Sequence, residues 1–313
     1  MRFAGTTRGS LKLEINSILA KYSDYLRFGA EQESTKAPQT IERYGYCIER
    51  YLFFLNGQEP AADNALAFMK SLLETGNKPK SVNLYLRALK SYFRMNGQEL
   101  KARGLKVDKS IPRYLKEQEW MKLLVSVTEP FRNKERPEYA RESAKKNLAI
   151  LMLYCGGALR LSEGVAIKIA DIDWGGSVKV LGKGGKPRIV SLEASVTEAI
   201  KQYLQTRNDD NPYLFPGRRR DSHLSTERLA ARIKEMSLKA GLSGVHTHTL
   251  RHTAATTLLL SGASLLEIRD FLGHENIETT QIYTHMTREE LDKRLPSRIP
   301  AGGIGLVSAG ERT

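Results

Sequence analysis

A group of cationic and imidazole side chains near the C-terminus contains the residues best suited to chemistry. The chain reads His248-Thr249-Leu250-Arg251-His252, then Leu272-Gly273-His274, then Tyr283-Thr284-His285. Arg160 and Lys183 stand upstream, and no acidic cluster accompanies them. Guanidinium and imidazole groups can stabilise charge that develops on a phosphate, and a tyrosine can act as a nucleophile. These residue types predict a site where a tyrosine attacks a phosphate.

Tyr283 is the candidate nucleophile. A free phenol has a pKa near 10, so at pH 7 about one molecule in a thousand is phenolate, a handicap of roughly 4 kcal/mol. A nucleophilic tyrosine therefore needs neighbouring cations or a base. His274 precedes it by nine residues, and His248 and Arg251 lie one predicted helix earlier. The alternative is that Tyr283 is a half-buried structural aromatic, since the chain contains 13 tyrosines.

Arg160 and Arg251 are the candidate ligands of the phosphate oxygens. Planar guanidinium groups match pairs of phosphate oxygens and keep their charge at any physiological pH. Arg160 directly follows an apolar helix predicted over 141–157. An ion pair with Glu163, three residues further on, explains Arg160 equally well. The two interpretations are compatible, because Glu163 could orient the arginine.

Lys183 occupies a glycine-rich turn over residues 182–186. A lysine whose pKa is lowered by other cations could protonate a leaving alkoxide. A solvated hairpin tip is the competing interpretation for Lys183 taken alone. The turn does not have the Gly-x-x-x-x-Gly-Lys-Ser/Thr spacing of a nucleotide-phosphate loop, and a strand follows it, so ATP binding is excluded.

Five of the six histidines lie between His246 and His285, which raises the question of a metal site. Imidazole clusters bind zinc. However, Arg251 lies among these histidines, no cysteine pair is near, and Arg160 and Lys183 would repel a cation. The sequence therefore predicts no metal and no other cofactor. His246, His252 and His285 are predicted to be structural neighbours of the site.

The order of these residues resembles the tyrosine recombinase/phage integrase family, in particular its Xer-like members. The strings His-Thr-Leu-Arg-His-Thr-Ala-Ala-Thr and Leu-Gly-His-Glu-Asn-Ile-Glu-Thr-Thr-Gln-Ile-Tyr-Thr-His look like the family's most recognisable blocks. The turn Gly-Lys-Gly-Gly-Lys-Pro-Arg resembles its lysine hairpin. Two positions depart from the family pattern. Gly164 replaces a larger apolar residue after Glu163, and Ala158 stands where glycine is common.

The resemblance implies a role for each residue. Tyr283 would attack the scissile phosphate, forming a 3′-phosphotyrosyl link and freeing a 5′-hydroxyl. Lys183 would protonate the leaving oxygen, and His248 would assist proton transfer. The non-bridging oxygens would be held by a phosphate clamp that consists of Arg160, Arg251 and His274. Glu163 would orient Arg160 within this clamp.

The resemblance also implies an assembly and a function. A homotetramer would exchange strands between two double-stranded DNA sites through a four-way junction, without metal or ATP. Residues 288–295 would pass between neighbouring protomers, and an accessory protein could take part. The predicted function is site-specific recombination for dimer resolution or mobile-element integration and excision. A type IB topoisomerase and a non-catalytic DNA-binding relative are the alternatives.

The charge balance favours a nucleic-acid partner. Lys and Arg number 49 against 35 Asp and Glu, a net charge of +14. Both parts of the chain are basic, with 18 cationic against 11 acidic residues over 1–109 and 31 against 24 over 110–313. Neutralising phosphates releases counterions and gives salt-sensitive affinity. A polyanion is therefore expected to contact the whole chain.

Apolar spacing predicts a helical first half and a mixed second half. The first half has helices over 11–30, 39–56, 63–75 and 80–96. The last of these carries a basic stripe predicted to contact DNA: Lys80, Arg87, Lys90 and Arg94. The second half has a hairpin with strands over 177–181 and 188–192. Its helices fit 116–127, 141–157, 194–206, 225–241, 249–262, 264–272, 277–285 and 288–295.

These elements predict two domains. Residues 11–98 would form an all-α helical bundle that resembles the family's SAM-like core-binding domain, followed by a basic linker over 99–112. Residues 113–295 would form a mainly α catalytic domain with a small antiparallel β-sheet, and 296–313 a flexible tail. We expect Cys47 and Cys155 to be buried free thiols. With no membrane span or signal peptide in the sequence, a cytoplasmic, nucleoid-associated protein is expected.

Overall fold

Two units make up the chain, each with its own hydrophobic core. The structure is a computed structural model that describes residues 8–29, 36–107, 112–182 and 185–273. The first unit comprises Met1–Lys109 and the second Ser110–Thr313. The predicted helices over 277–285 and 288–295 and the predicted tail lie outside the described residues.

Within residues 8–29 and 36–107, the first unit contains four helices, as predicted: α1 (Arg8–Phe28), α2 (Pro38–Leu55), α3 (Ala62–Glu74) and α4 (Pro79–Met95). Proline begins α2 and α4, where its fixed φ suits the first helical turn and its missing amide hydrogen costs nothing. The Tyr22 hydroxyl on α1 donates a hydrogen bond to the Ala88 carbonyl on α4, at 3.0 Å. The apolar stripe of α4, including Leu86 and Leu89, is buried in the core.

The segment after α4 packs on this first unit. Leu100 is buried there. The side-chain amide of Asn83 also forms hydrogen bonds with both the carbonyl and the amide of Leu105. Asn83 Nδ2 donates to the Leu105 carbonyl at 2.8 Å and Asn83 Oδ1 accepts from the Leu105 amide at 2.7 Å. The beginning of the predicted linker is therefore held in a fixed conformation by α4.

The second unit is mainly helical with one small antiparallel sheet, in agreement with the predicted fold class. Strands β1 (Ile172–Asp173), β2 (Ser177–Leu181) and β3 (Pro187–Ser191) pair in that order, with Val178 opposite Val190. The helices are α5 (Glu117–Arg132), α6 (Glu138–Gly156), α7 (Leu161–Val165), α8 (Ala194–Leu204), α9 (Thr226–Lys239), α10 (Thr247–Leu260) and α11 (Leu265–Leu272).

Helix α6 runs through the centre of this unit. Residues 148–156 are all buried, so this end of the helix is covered on every side. Such a helix lies in the core of a larger domain rather than on its surface. The central position of α6 fixes where the chain leaves it, and Arg160 lies four residues beyond its end.

Helix α5 is longer than predicted. It continues past residue 127 to Arg132 and contains Pro130. Val127 and Thr128 are buried and extend the apolar face, which outweighs the one hydrogen bond that Pro130 cannot donate. The short helix α7 and strand β1 were not predicted, because five and two residues are too few to show a period.

Cys47 and Cys155 are buried free thiols, as predicted. Within the described ranges, no helix is both long and apolar enough to cross a bilayer.

Candidate active site

Arg160 is positioned by a sharp turn between α6 and α7. Ala158 and Leu159 are fully buried, and Ala158 adopts a left-handed conformation with φ of 46°. This conformation is strained for residues with a side chain and favours glycine. Arg160 then occupies the N-cap position of α7. The turn fixes the backbone from which the guanidinium projects.

Glu163 is the buried anion of the site. Its side chain is 2% exposed, and Oε2 accepts a hydrogen bond from the Arg160 amide at 2.8 Å. Oε1 accepts from Arg160 Nη1 at 2.7 Å, so the ion pair considered from the sequence is present. Burial favours the neutral carboxyl, but hydrogen bonds from Arg188 and then from Arg160 outweigh it and lower the Glu163 pKa.

Arg188 is a site residue that the sequence analysis missed. From strand β3 it forms a two-bond pair with Glu163, with Nη1 to Oε1 at 2.6 Å and Nη2 to Oε2 at 3.1 Å. One signal could have found it. Arg188 lies two residues before the buried Val190, so both side chains share the inward face of the strand. An arginine on the inward face of a strand requires a buried partner for its charge.

Arg251 is almost fully buried on α10, at 4% exposure. Its Nη1 donates to the Ala158 carbonyl and its Nη2 to the Leu272 carbonyl, both at 2.6 Å. Arg160 Nη2 donates to the next carbonyl, that of Gly273, at 2.9 Å. Both candidate arginines therefore bind the C-terminal end of α11, where helical carbonyls lack partners.

His248 lies three residues before Arg251 on α10, with part of its ring in solvent. Partial burial, followed by the charges of Arg251 and Arg160, lowers the His248 pKa, so the imidazole is neutral at pH 7. The His252 ring lies 6.5 Å from that of His248. Burial, with the charges of His248 and Arg251, lowers the His252 pKa to about 4.

The structure brings Arg160, His248 and Arg251 together around the end of α11. Lys183, His274 and Tyr283 lie outside the described residues, although their flanking residues are informative. The Gly182 amide, directly after β2, donates to the Lys186 carbonyl, which precedes β3, at 2.8 Å. His274 immediately follows Gly273 in the sequence.

The departure at Gly164 has a packing explanation. A Cβ atom at this position would come within 2.3 Å of the Tyr154 hydroxyl. That hydroxyl donates to the Leu161 carbonyl at 2.9 Å and so supports the first turn of α7. In this chain, Tyr154 fills the space that a side chain at position 164 would need.

The predicted DNA-contacting residues occupy α4 in the first unit. Lys80, Arg87 and Arg94 are exposed and Lys90 is half-buried. Arg87 Nε donates to the Asn83 carbonyl at 3.3 Å, so part of this side chain lies along its own helix. Cationic groups on one helix suit contact with a phosphate backbone.

Two guanidinium groups and a neutral imidazole can bind a phosphate and accept a proton beside it. Among the described residues of this cluster, the one buried carboxylate is Glu163, which is matched by two arginines and leaves the cluster cationic. Across the part of the chain that the structure describes, no group of three His, Cys, Asp or Glu residues is placed to hold a metal.

The family match and the similar relatives identify the chain as an enzyme that transfers DNA strands. Residues 114–290 match the model of the phage integrase family, and the chain belongs to this family of tyrosine recombinases. It is a site-specific tyrosine recombinase.

Its relatives include archaeal recombinases similar along nearly their whole length. Tyrosine recombinase XerA of Thermococcus onnurineus is 38% identical over 286 residues, which cover 89% of this chain and 94% of the relative. XerA of Pyrococcus horikoshii is 37% identical over 285 residues, covering 88% and 92%. The XerH recombinase, solved with palindromic difH substrate in a post-cleavage complex, shares the fold. Its TM-score is 0.68 at 21% identity, covering 89% of this chain and 95% of that one.

Proposed function

We propose that the chain cleaves and rejoins two copies of a defined duplex site through a 3′-phosphotyrosyl intermediate and a four-way junction. The observation that carries this proposal is the convergence of Arg160, His248 and Arg251 at the end of α11. His274 directly follows that end in the sequence. These contacts support attack on a phosphate bound beside Gly273.

Tyr283 supplies the nucleophile in this proposal. Its phenolic oxygen attacks the scissile phosphorus, the bond from phosphorus to the 5′-oxygen breaks, and the DNA keeps a 3′-phosphotyrosyl end. Lys183 gives a proton to the departing 5′-oxygen, and His248 assists removal of the phenolic proton. The lowered pKa of His248 supports its part, because a neutral imidazole can accept a proton at pH 7.

Arg160, Arg251 and His274 bind the non-bridging oxygens. In the structure the two arginines donate to neutral carbonyls of Leu272 and Gly273. A phosphate offers a stronger acceptor, since hydrogen bonds between two charged groups are about twice as strong as neutral ones. Arg160, whose side chain is 30% exposed, is the arginine better able to exchange its carbonyl for a phosphate oxygen.

The covalent link keeps the energy of the phosphodiester. A 5′-hydroxyl from the other duplex can therefore attack the phosphotyrosyl group and release Tyr283 without ATP. A metal is not required either, because charge on the phosphate is met by Arg160 and Arg251.

The proposed assembly follows from the number of strands. Two duplex sites contain four scissile phosphates, so four protomers form a homotetramer on the DNA. Residues 288–295 dock on a neighbouring protomer. In this proposal the complex acts on nucleoid DNA in the cytoplasm. Dimer resolution and mobile-element integration use the same strand exchange and differ in where the sites lie.

Mapping covalent adducts on the host's own DNA tests this proposal. The protein is incubated with genomic DNA in excess EDTA, denatured, and the DNA attached to protein is sequenced. We expect adducts at one or a few defined sites. The position of these sites in the host's DNA identifies the biological role. Dispersed adducts would indicate a relaxing topoisomerase, and loss of adducts in EDTA would indicate a metal.

A further inference from the structure

Arg188 contacts two parts of the candidate site at once. Its guanidinium forms the two-bond pair with Glu163 described above, and Glu163 in turn binds both the amide and the guanidinium of Arg160. Exposure falls from 30% at Arg160 to 17% at Arg188 and 2% at Glu163. Arg188 therefore lies behind the arginine that faces solvent.

The second contact of Arg188 is with Gly273. A Cβ atom at Gly273 would lie 2.8 Å from Arg188 Nε and 2.9 Å from Cδ and Cζ. Gly273 also has a φ of 62°, a left-handed conformation that favours glycine. Its carbonyl accepts the bond from Arg160 Nη2. The four residues thus form a closed ring that ends one residue before His274.

The charges of this ring favour phosphate binding. Glu163 alone would neutralise Arg160, and a neutral pair attracts an anion weakly. The second arginine restores one net positive charge to the group. Two hydrogen bonds to Glu163 hold Arg188 behind Arg160. The more exposed Arg160 guanidinium is therefore the group through which this net positive charge meets a phosphate.

We propose that Arg188 is a positioning residue for DNA cleavage. It keeps Glu163 and the C-terminal end of α11 in fixed positions relative to each other. It also gives the group of Arg160, Glu163 and Arg188 a net positive charge toward the scissile phosphate. This inference rests on the proposed function, since it requires that Arg160 binds the phosphate. Its position on β3, five residues after Lys183, also ties the hairpin to the same ring.

The test uses the full-length protein and a nicked duplex of the mapped site that traps the covalent adduct. Single-turnover adduct formation at saturating DNA, DNA affinity and thermal unfolding are measured for each variant. Arg188→Met should slow adduct formation by about 10- to 100-fold, by analogy with the loss of groups that orient the ligands of a metal ion. Affinity should change less than threefold or so. Arg136→Met, which breaks the exposed pair with Glu129, is the matched control and should keep the wild-type rate.

The double variant Arg188→Met with Glu163→Gln separates positioning from folding. It removes one cation and one anion, so Arg160 regains a net positive charge and the rate should rise above that of Arg188→Met. A purely structural ion pair predicts that stability recovers in the double variant, since removing both partners of a buried pair costs less than removing one, and that every folded variant keeps the wild-type rate at saturating DNA. Arg188→Lys keeps the charge and should fall between wild type and Arg188→Met.

A wild-type rate for Arg188→Met would overturn the inference. So would a slow double variant, or an Arg188→Lys rate no better than that of Arg188→Met. Failure of the proposed function looks different, because the wild-type protein would then form no adduct on any duplex.

Discussion

At the residue scale, hydrogen bonds to backbone carbonyls, and not acidic partners alone, fix the positions of the arginine side chains in the site. Arg251 donates to the carbonyls of Ala158 and Leu272, and Arg160 to that of Gly273. These three carbonyls belong to the turn after α6 and the end of α11. A guanidinium with five donors can bridge such groups in a fixed geometry, whereas an ammonium cannot.

His248 should give cleavage an acidic limb in its pH profile. Its pKa lies below the ordinary value of about 6.5, so it is neutral at pH 7 and gains a proton only as pH falls below that value. Single-turnover adduct formation should therefore decline as the pH falls below about 6.5. In His248→Gln the rate should be lower throughout and this limb should vanish. His246→Gln, at an exposed imidazole on the same turn, should retain it; a lost limb in that variant instead would assign the role to His246.

At the element scale, the site depends on two short connections at the ends of α6 and α11. Ala158 and Gly273 both have positive φ, and each precedes a residue assigned to the phosphate clamp by one or two positions. Left-handed residues reverse the chain in a small space. These turns bring the Arg160 guanidinium to within 2.9 Å of the Gly273 carbonyl.

Replacing Ala158 by glycine tests that strain. The left-handed conformation costs an alanine about 1–2 kcal/mol, while the lost methyl and the freer unfolded chain cost about as much. Ala158→Gly should therefore leave the free energy of unfolding within about 1 kcal/mol of wild type, measured by urea titration. Ala255→Gly, a buried alanine of ordinary helical conformation, is the matched control and should lose more than about 1 kcal/mol. Equal losses of the free energy of unfolding in the two variants would contradict the claim that Ala158 is strained.

The sequence predicts local features of the site better than contacts between distant elements. The helices of the first unit, the hairpin and the Arg160–Glu163 pair follow from spacings of two to four residues. The Arg188–Glu163 pair joins residues 25 positions apart, and the Arg160–Gly273 bond joins residues 113 apart. No periodicity reports such contacts, which are decided by packing of the whole unit. The family resemblance supplied the order of the clamp residues, but not this ring.

At the scale of the whole molecule, positive charge is distributed over both units. The net charge of +14 is shared between them, and α4 presents Lys80 and Arg87 to solvent. Affinity for duplex DNA should thus contain a large contribution from counterion release. That contribution is separate from the chemistry of the clamp, so binding and cleavage can be impaired independently.

Substitutions on α4 should change the salt dependence of binding. In Lys80→Ala with Arg87→Ala, the slope of log affinity against log salt should shrink by about 0.9 for each lost phosphate contact. Adduct formation at saturating DNA should remain near wild type. Lys70→Ala removes an exposed lysine that pairs with Glu74 on α3 and should leave the slope unchanged. An unchanged slope in the α4 variant would remove this helix from the DNA interface.

The most direct test of the account is the covalent bond to Tyr283. Wild-type protein and Tyr283→Phe are compared on the same nicked duplex, and denaturing gels detect the protein–DNA adduct while anisotropy measures binding. The wild-type protein should form an adduct whose peptide contains Tyr283. The variant should form none while binding DNA within about twofold of wild type, since only the phenolic oxygen is lost. An adduct that persists in Tyr283→Phe would contradict the assignment of the nucleophile and the mechanism built on it.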